Sequence, residues 1–180
     1  MCVYVHLANG FEEIEAITVV DVLRRASVAV QTVSIGKEKM VTGAHGIRVE
    51  ADLLFQDADY RLCEMLVFPG GMPGTLNLKE HSGLKEKVIA FNENKKWIAA
   101  ICAAPMILGE LGILKDREAV IYPGMEKHLI GAKITAQRVV QAEHIITAKG
   151  PGTAMEFALK LVELLTDEET KQSLKEDMVI

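Results

Sequence analysis

WIAAICAAPMILGELG, Trp97 to Gly112, runs from an unbroken apolar stretch into a cysteine, two alanines and a proline. WIAAI (97–101) has the length and continuity of a strand buried on both faces. Pro105 fits a helix only within its first turn, where the missing N–H has no partner to lose. The helix therefore starts at about Ala103 or Ala104, runs to about Leu111, and leaves Cys102 on the strand-to-helix turn. Ala100, Ala103 and Ala104 keep that turn uncrowded. This is the layout of a nucleophile elbow, although the GxSxG pattern is absent. A thiol of ordinary pKa, about 8.5, is only about 3% ionised at pH 7, whereas one at a helix N-terminus falls toward about 5.5. Two readings stay open at this point, a buried structural cysteine and an activated one.

Working outward, strand and helix patterns alternate along the whole chain. CVYVHLA (2–8) is β-rich, and Glu12 to Ala26 is helical, with acids at its start and Arg24-Arg25 at its end as the helix dipole prefers. VAVQTVSI (28–35) is a strand, and short strands surround Gly43 and Gly46 between Met40 and Leu54. MLVFP (65–69) is a buried strand, followed by a helix from Leu84 to Asn94. AVIY (119–122), RVVQA (138–142) and HIITA (144–148) read as further strands, the last two pairing through the Gln141–His144 region. GPGTAMEFALKLVELL (150–165) opens a last helix in which Thr153 and Glu156 have capping-box spacing and Glu156 and Lys160 form an outward pair. Such alternation predicts one α/β domain over 1–180, with a mostly parallel sheet covered on both faces and its chemistry at the carboxyl ends of the strands.

Bulk properties exclude several classes. With 49% hydrophobic residues in 180, the chain has enough apolar side chains for a large core. A net charge of −5 without any basic run argues against nucleic acid. The opening MCVYVHLANG lacks an export signal, and the longest apolar stretch is too short to span a bilayer, so a cytoplasmic location is expected. Cys2, Cys63 and Cys102 offer no CxxC pair, and the five histidines (His6, His45, His81, His128 and His144) no ligand spacing. Neither disulfide, metal nor cofactor is expected. Cys2 and Cys63 read as structural.

Two other strand ends carry suggestive residues. Glu12, Glu13 and Glu15 cluster at the start of the first helix. Glu12 and Glu13 read as solvated dipole partners, whereas Glu15 shares a face with Val19 and Val22. Desolvation there raises its pKa and suits it to donate a proton. Gly70-Gly71, after the buried strand MLVFP, lets backbone N–H groups turn toward a ligand or oxyanion. Neither GxGxxG nor GxxxxGK[ST] fits the spacing. The first helix is also apolar almost all round at Ala16, Ile17, Val19, Val20, Val22 and Leu23. Either a thick core or a second copy of the chain covers its outer face.

NGFEEIEA (9–16), VDVLRRA (20–26), LVFPGGMPG (66–74), AAICAAP (99–105) and AKGPGTAMEFAL (148–159) occur in the order and spacing of the ThiJ/PfpI superfamily. The chain resembles that family from end to end, in particular the branch of the Parkinsonism-associated protein deglycase and YajL. The resemblance implies a flavodoxin-like three-layer α/β/α sandwich that dimerises through helix 12–26. It implies that Cys102 is a nucleophilic, oxidisable cysteine hydrogen-bonded by a protonated Glu15. Backbone amides of Gly71 and Ala103, beside Gly70, form an anion pocket; Arg25, Pro151 and Gly152 lie near it. The implied chemistry is cofactor-independent handling of a small reactive carbonyl or its protein adduct, with a non-catalytic redox sensor or chaperone as the alternative. Tyr122 stands where part of this branch has a histidine, so no imidazole base is expected beside the thiol. Peptidase and glutaminase chemistry are disfavoured, since Ala103 follows the cysteine and no His-x-Glu pair follows downstream.

Overall fold

A computed structural model of the chain describes residues 2–180. In chain order the elements are β1 (Cys2–Leu7), α1 (Glu13–Arg25), β2 (Ala29–Ser34), β3 (Met40–Thr42), β4 (Arg48–Glu50), β5 (Leu53–Leu54) and β6 (Cys63–Phe68). They continue with α2 (Gly74–Glu80), α3 (Ser82–Glu93), β7 (Trp97–Ile101), α4 (Pro105–Glu110), β8 (Glu118–Ala119) and β9 (Lys133–Ile134). β10 (Val139–Ala142), β11 (Ile145–Ala148), α5 (Ala154–Leu165) and α6 (Glu168–Asp177) complete the chain. Seven strands form one sheet in the order β10-β11-β7-β6-β1-β2-β5. Every pairing in it is parallel except β10 with β11, the hairpin expected from the sequence.

Alternate residues of the central strands face opposite layers, because the side-chain period of a strand is two. Val3, Val5, Met65, Val67, Ala99 and Ile101 pack against Val19 and Leu23 of α1 and Phe157 and Leu161 of α5. Tyr4, Leu66, Phe68, Ile98 and Ala100 pack on the other side against Leu78, Leu84, Val88 and Ile107 from α2, α3 and α4. The result is a three-layer α/β/α sandwich in which all three central strands point their carboxyl ends at one edge. Among the described residues no helix is long and apolar enough to cross a membrane.

Local readings differ in four places. β8 covers two residues rather than AVIY, because Val120 onward leaves the ladder and the Val120 N–H bonds Thr147 Oγ1 instead. Thr153 makes no capping box with Glu156: its hydroxyl turns back to the Gly150 carbonyl at 2.8 Å, while Glu156 pairs with Arg138. Lys160 pairs with Glu163 rather than Glu156. α2 and α6 were not expected; α2 begins at Gly74, one residue after a proline, and α6 is mainly polar.

Candidate active site

Cys102 follows β7 directly and has φ +63°, in the left-handed region that ordinary side chains rarely occupy. Two backbone hydrogen bonds hold it there: its N–H donates to the Ala148 carbonyl at 2.9 Å, and its carbonyl accepts the Tyr122 N–H at 2.8 Å. α4 then starts at Pro105, with Ala104 as its N-cap. The turn is thus held between the end of β11 and the loop that follows β8, and Cys102 is 9% exposed at its apex.

The β6–α2 turn closes on it from one side. A Cβ at Gly70 would stand 2.6 Å from Cys102 Cβ and 2.9 Å from Glu15 Oε2, so only glycine fits between them. Gly71 has φ +87°, and a Cβ there would meet the Glu12 nitrogen at 2.4 Å. The backbone N–H groups of Gly71 and Ala103 point at the sulfur and favour its charged form. On the other side a Cβ at Gly150 would meet the Tyr122 ring at 3.3 Å and Cys102 Sγ at 4.0 Å. Gly150 is therefore a site residue that its place in GPGT could have signalled. Pro151 and Gly152 follow it in a single 3-10 turn, tied by Thr153.

Glu15 is fully buried on α1. Its Oε2 accepts the Gly70 N–H at 2.7 Å, while Oε1 is buried without a hydrogen-bond partner. Burial raises its pKa to about 7 against the opposing pull of the Gly70 N–H and Cys102, with the Glu12 charge adding to the rise. The Cys102 thiol moves the same way, to about 12, chiefly through burial and then through the Glu15 carboxylate, offset in part by Gly71 and Ala103. The thiolate expected from a helix N-terminus is thus reversed. α4 is only six residues long, and burial beside a carboxylate outweighs its end charge. Near neutral pH the thiol therefore keeps its proton, and any charge of the pair sits on Glu15, which makes the carboxylate the group placed to take the thiol proton.

Other sequence-derived candidates fall elsewhere. Arg25 lies ten residues along α1 from Glu15, at the helix's far end, where its Nε pairs with Asp21 at 2.8 Å. Within the chain it does not approach Cys102, because a helix of that length carries it about 15 Å away. Glu12 and Glu13 are not solvated: they are 9% and 5% exposed. The loop from Gly43 to Ile47 folds over the start of α1, so that Glu13 Oε1 accepts the N–H groups of His45 at 2.8 Å and Ile47 at 3.3 Å. Each of the five histidines makes its contacts away from the sulfur: His6 with Tyr60, His45 with Glu13, His81 with Phe55, His128 with Glu110 and His144 with Asn92. Cys63 is buried and its thiol pushed up to about 12 by that burial, in keeping with a structural role.

Comparison with known proteins bears on the family and the fold. A sequence model of the DJ-1/PfpI family matches residues 1–164. Protein DJ-1 homolog B of Arabidopsis thaliana is 37% identical over 169 residues, covering 93% of this chain and 39% of the plant protein. The chain thus spans about two-fifths of that relative's length. The glutathione-independent glyoxalase DJR-1.2 of Caenorhabditis elegans is 37% identical, covering 91% of this chain and 87% of its own. Oxidised Toxoplasma gondii DJ-1 superposes with a TM-score of 0.94 at 33% identity, covering 99% of this chain and 97% of that one. Sequence agrees over most of the nematode protein, and sequence and fold agree over nearly all of the Toxoplasma protein; the chain belongs to the DJ-1/PfpI family.

Proposed function

We propose that this protein converts small reactive carbonyls, or their adducts on proteins, by nucleophilic catalysis at Cys102. The observation that carries the reading is one constellation: a thiol fixed at φ +63°, two backbone N–H groups beside it, and a buried Glu15 with one oxygen unpartnered. The naming of the nematode relative as a glyoxalase supports it. With a 2-oxoaldehyde, the sulfur attacks the aldehyde carbon while the thiol proton passes to Glu15. A C–S bond forms, and the carbonyl π pair moves to oxygen, where the Gly71 and Ala103 N–H groups stabilise it. Glu15 passes the thiol proton on to that oxygen, giving a hemithioacetal. Its freed carboxylate then removes the proton from that carbon and returns it to the neighbouring carbon through an enediol. The hydroxyl proton ends on the neighbouring oxygen, leaving a thioester. Water cleaves the C–S bond, restores the thiol and releases a 2-hydroxy acid, so no external oxidant or cofactor enters the balance. Incubation with methylglyoxal is expected to yield lactate. Cys102→Ser removes turnover by more than about a thousandfold, and Glu15→Gln lowers it roughly 10²–10⁴-fold. Lactate formation that survives Cys102→Ser would sink the reading.

One observation favours a second reading, in which Cys102 senses peroxide. Tyr122, not an imidazole, stands against the turn that holds the sulfur. Peroxide would add one oxygen to the sulfur and release water, then repeat to give a sulfinate held by the same donors. Mass spectrometry after mild peroxide then finds two added oxygens on Cys102 before Cys2 or Cys63 is modified; scattered oxidation of all three counts against it.

A second copy of the chain is the proposed cover for the outer face of α1. Ile14, Ile17, Val22, Ile47 and Met155 line an apolar groove there, with Ile14 and Ile17 more than two-fifths exposed. A self-complementary helix face of this kind suits a twofold contact.

A further inference from the structure

Glu12 and Glu13 pose a problem that the chemistry at Cys102 does not solve. Two adjacent carboxylates are buried at the start of α1, and among the described residues their one basic partner is His45. Glu13 is satisfied: Oε1 takes two backbone N–H groups, and Oε2 meets His45 Nδ1 at 2.9 Å. Glu12 is not. It is 9% exposed, its carboxylate makes no hydrogen bond among the described residues, and its Oε2 stops 3.7 Å from the same His45 nitrogen. An ion pair between Glu13 and His45 leaves the second carboxylate, whose side chain is 11% exposed, without a hydrogen-bonding partner among the described residues.

We propose that Glu12, Glu13 and His45 form a binding site for a divalent transition-metal ion of the zinc type. All three ligand atoms lie within 4.8 Å of one another. A tetrahedral ion with bonds of about 2.0–2.1 Å holds its ligands about 3.3 Å apart. The separations of 2.9 and 3.7 Å from His45 Nδ1 bracket that value, so little movement is needed to admit the ion. One imidazole and two carboxylates suit zinc or cobalt, whereas calcium and magnesium favour an all-oxygen shell. In the single chain the His45 side chain is 69% exposed, so a fourth position is open to water or to a group from a second copy.

The surroundings are built to hold these ligands in place. Gly43 N–H bonds the Ile47 carbonyl at 2.8 Å and Ala44 N–H bonds the Phe11 carbonyl at 2.8 Å, so the loop bearing His45 is tied to the turn bearing Glu12. A Cβ at Gly43 would fall 2.3 Å from the Glu13 carboxyl group, which makes glycine necessary for the carboxylate to sit there. The two N–H groups on Glu13 Oε1 orient the carboxylate and leave Oε2 for the ion, the usual division between supporting and ligating atoms. Because Glu12 N–H also bonds the Gly70 carbonyl at 2.9 Å, the ion would clamp the 43–47 loop onto the turn that flanks Cys102.

Cobalt(II) titration of the full chain tests the site, read by visible absorption and by competition with zinc. One equivalent is expected to bind with ligand-field bands and without a sulfur-to-cobalt charge-transfer band. His45→Ala and Glu12→Gln each weaken binding by at least about tenfold, whereas Cys102→Ser and Cys2→Ser leave it unchanged. Zinc raises the melting temperature of the wild type and not that of His45→Ala, a surface change that the fold tolerates. Absence of stoichiometric binding overturns the proposal. So does binding that both variants retain, or a sulfur band that either cysteine variant removes. Failure here leaves the Cys102 reading untouched, since the cysteine variants report on that separately.

Discussion

A methyl group on Gly70 would stand 2.6 Å from Cys102 Cβ and 3.0 Å from the Ala103 nitrogen, both parts of the rigid elbow. Gly70→Ala is therefore expected to displace the thiol from Glu15 and lower Cys102-dependent turnover about a hundredfold, the usual cost of misplacing a reacting group by an ångström. Gly152→Ala is the matched control, since a Cβ there meets nothing within 4 Å, and its activity should stay near wild type. His6 provides a second test at the scale of a single residue. It is fully buried beside Tyr60 and Phe68, and burial lowers its pKa from the ordinary 6.5 to about 3. In that window the unfolded chain binds a proton that the folded chain refuses. The His6 contribution to stability is thus present above pH 6.5 and is lost as pH falls toward 3, at up to about 1.4 kcal/mol per unit. Urea unfolding at pH 7.5 and pH 4.5 should show a larger loss in the wild type than in His6→Gln. Equal losses would mean that His6 takes up its proton in the folded state.

Helices whose boundaries rest on local chemistry were legible, and those that rest on tertiary partners were not. Pro105 located α4 because a proline has one comfortable place in a helix, and Arg24-Arg25 marked the end of α1. Thr153 and Glu156 had capping-box spacing, yet the 3-10 turn that precedes α5 draws Thr153 back to Gly150, while Arg138 draws Glu156 outward. α6 escaped notice because it buries little beyond Leu174. Its start is nevertheless local: Asp167 Oδ1 accepts the Thr170 N–H at 2.7 Å. Asp167→Ala should cost about 1 kcal/mol, measured by urea unfolding, and Asp167→Asn should recover most of it.

At the scale of the whole molecule, the α1 groove is an apolar surface without a cover in the single chain. Ile17 lies in it 41% exposed. Sedimentation equilibrium should give twice the chain mass for the wild type and the single-chain mass for Ile17→Glu, without loss of folded structure. A wild-type monomer would refute the twofold contact. The sequence by itself determined the layers, the place of Cys102 on a turn and the burial of Glu15. Each follows from periods of two and 3.6, from proline's missing N–H and from a carboxylate set among valines. It did not determine the charge at the sulfur, where the sign depends on burial and on a carboxylate 87 positions earlier in the chain. Nor did it reveal Glu12, Glu13 and His45 as one cluster. Only the fold carries the 43–47 loop over the start of α1, turning two acids that read as solvated into buried ones, because contacts between distant segments decide what water can reach.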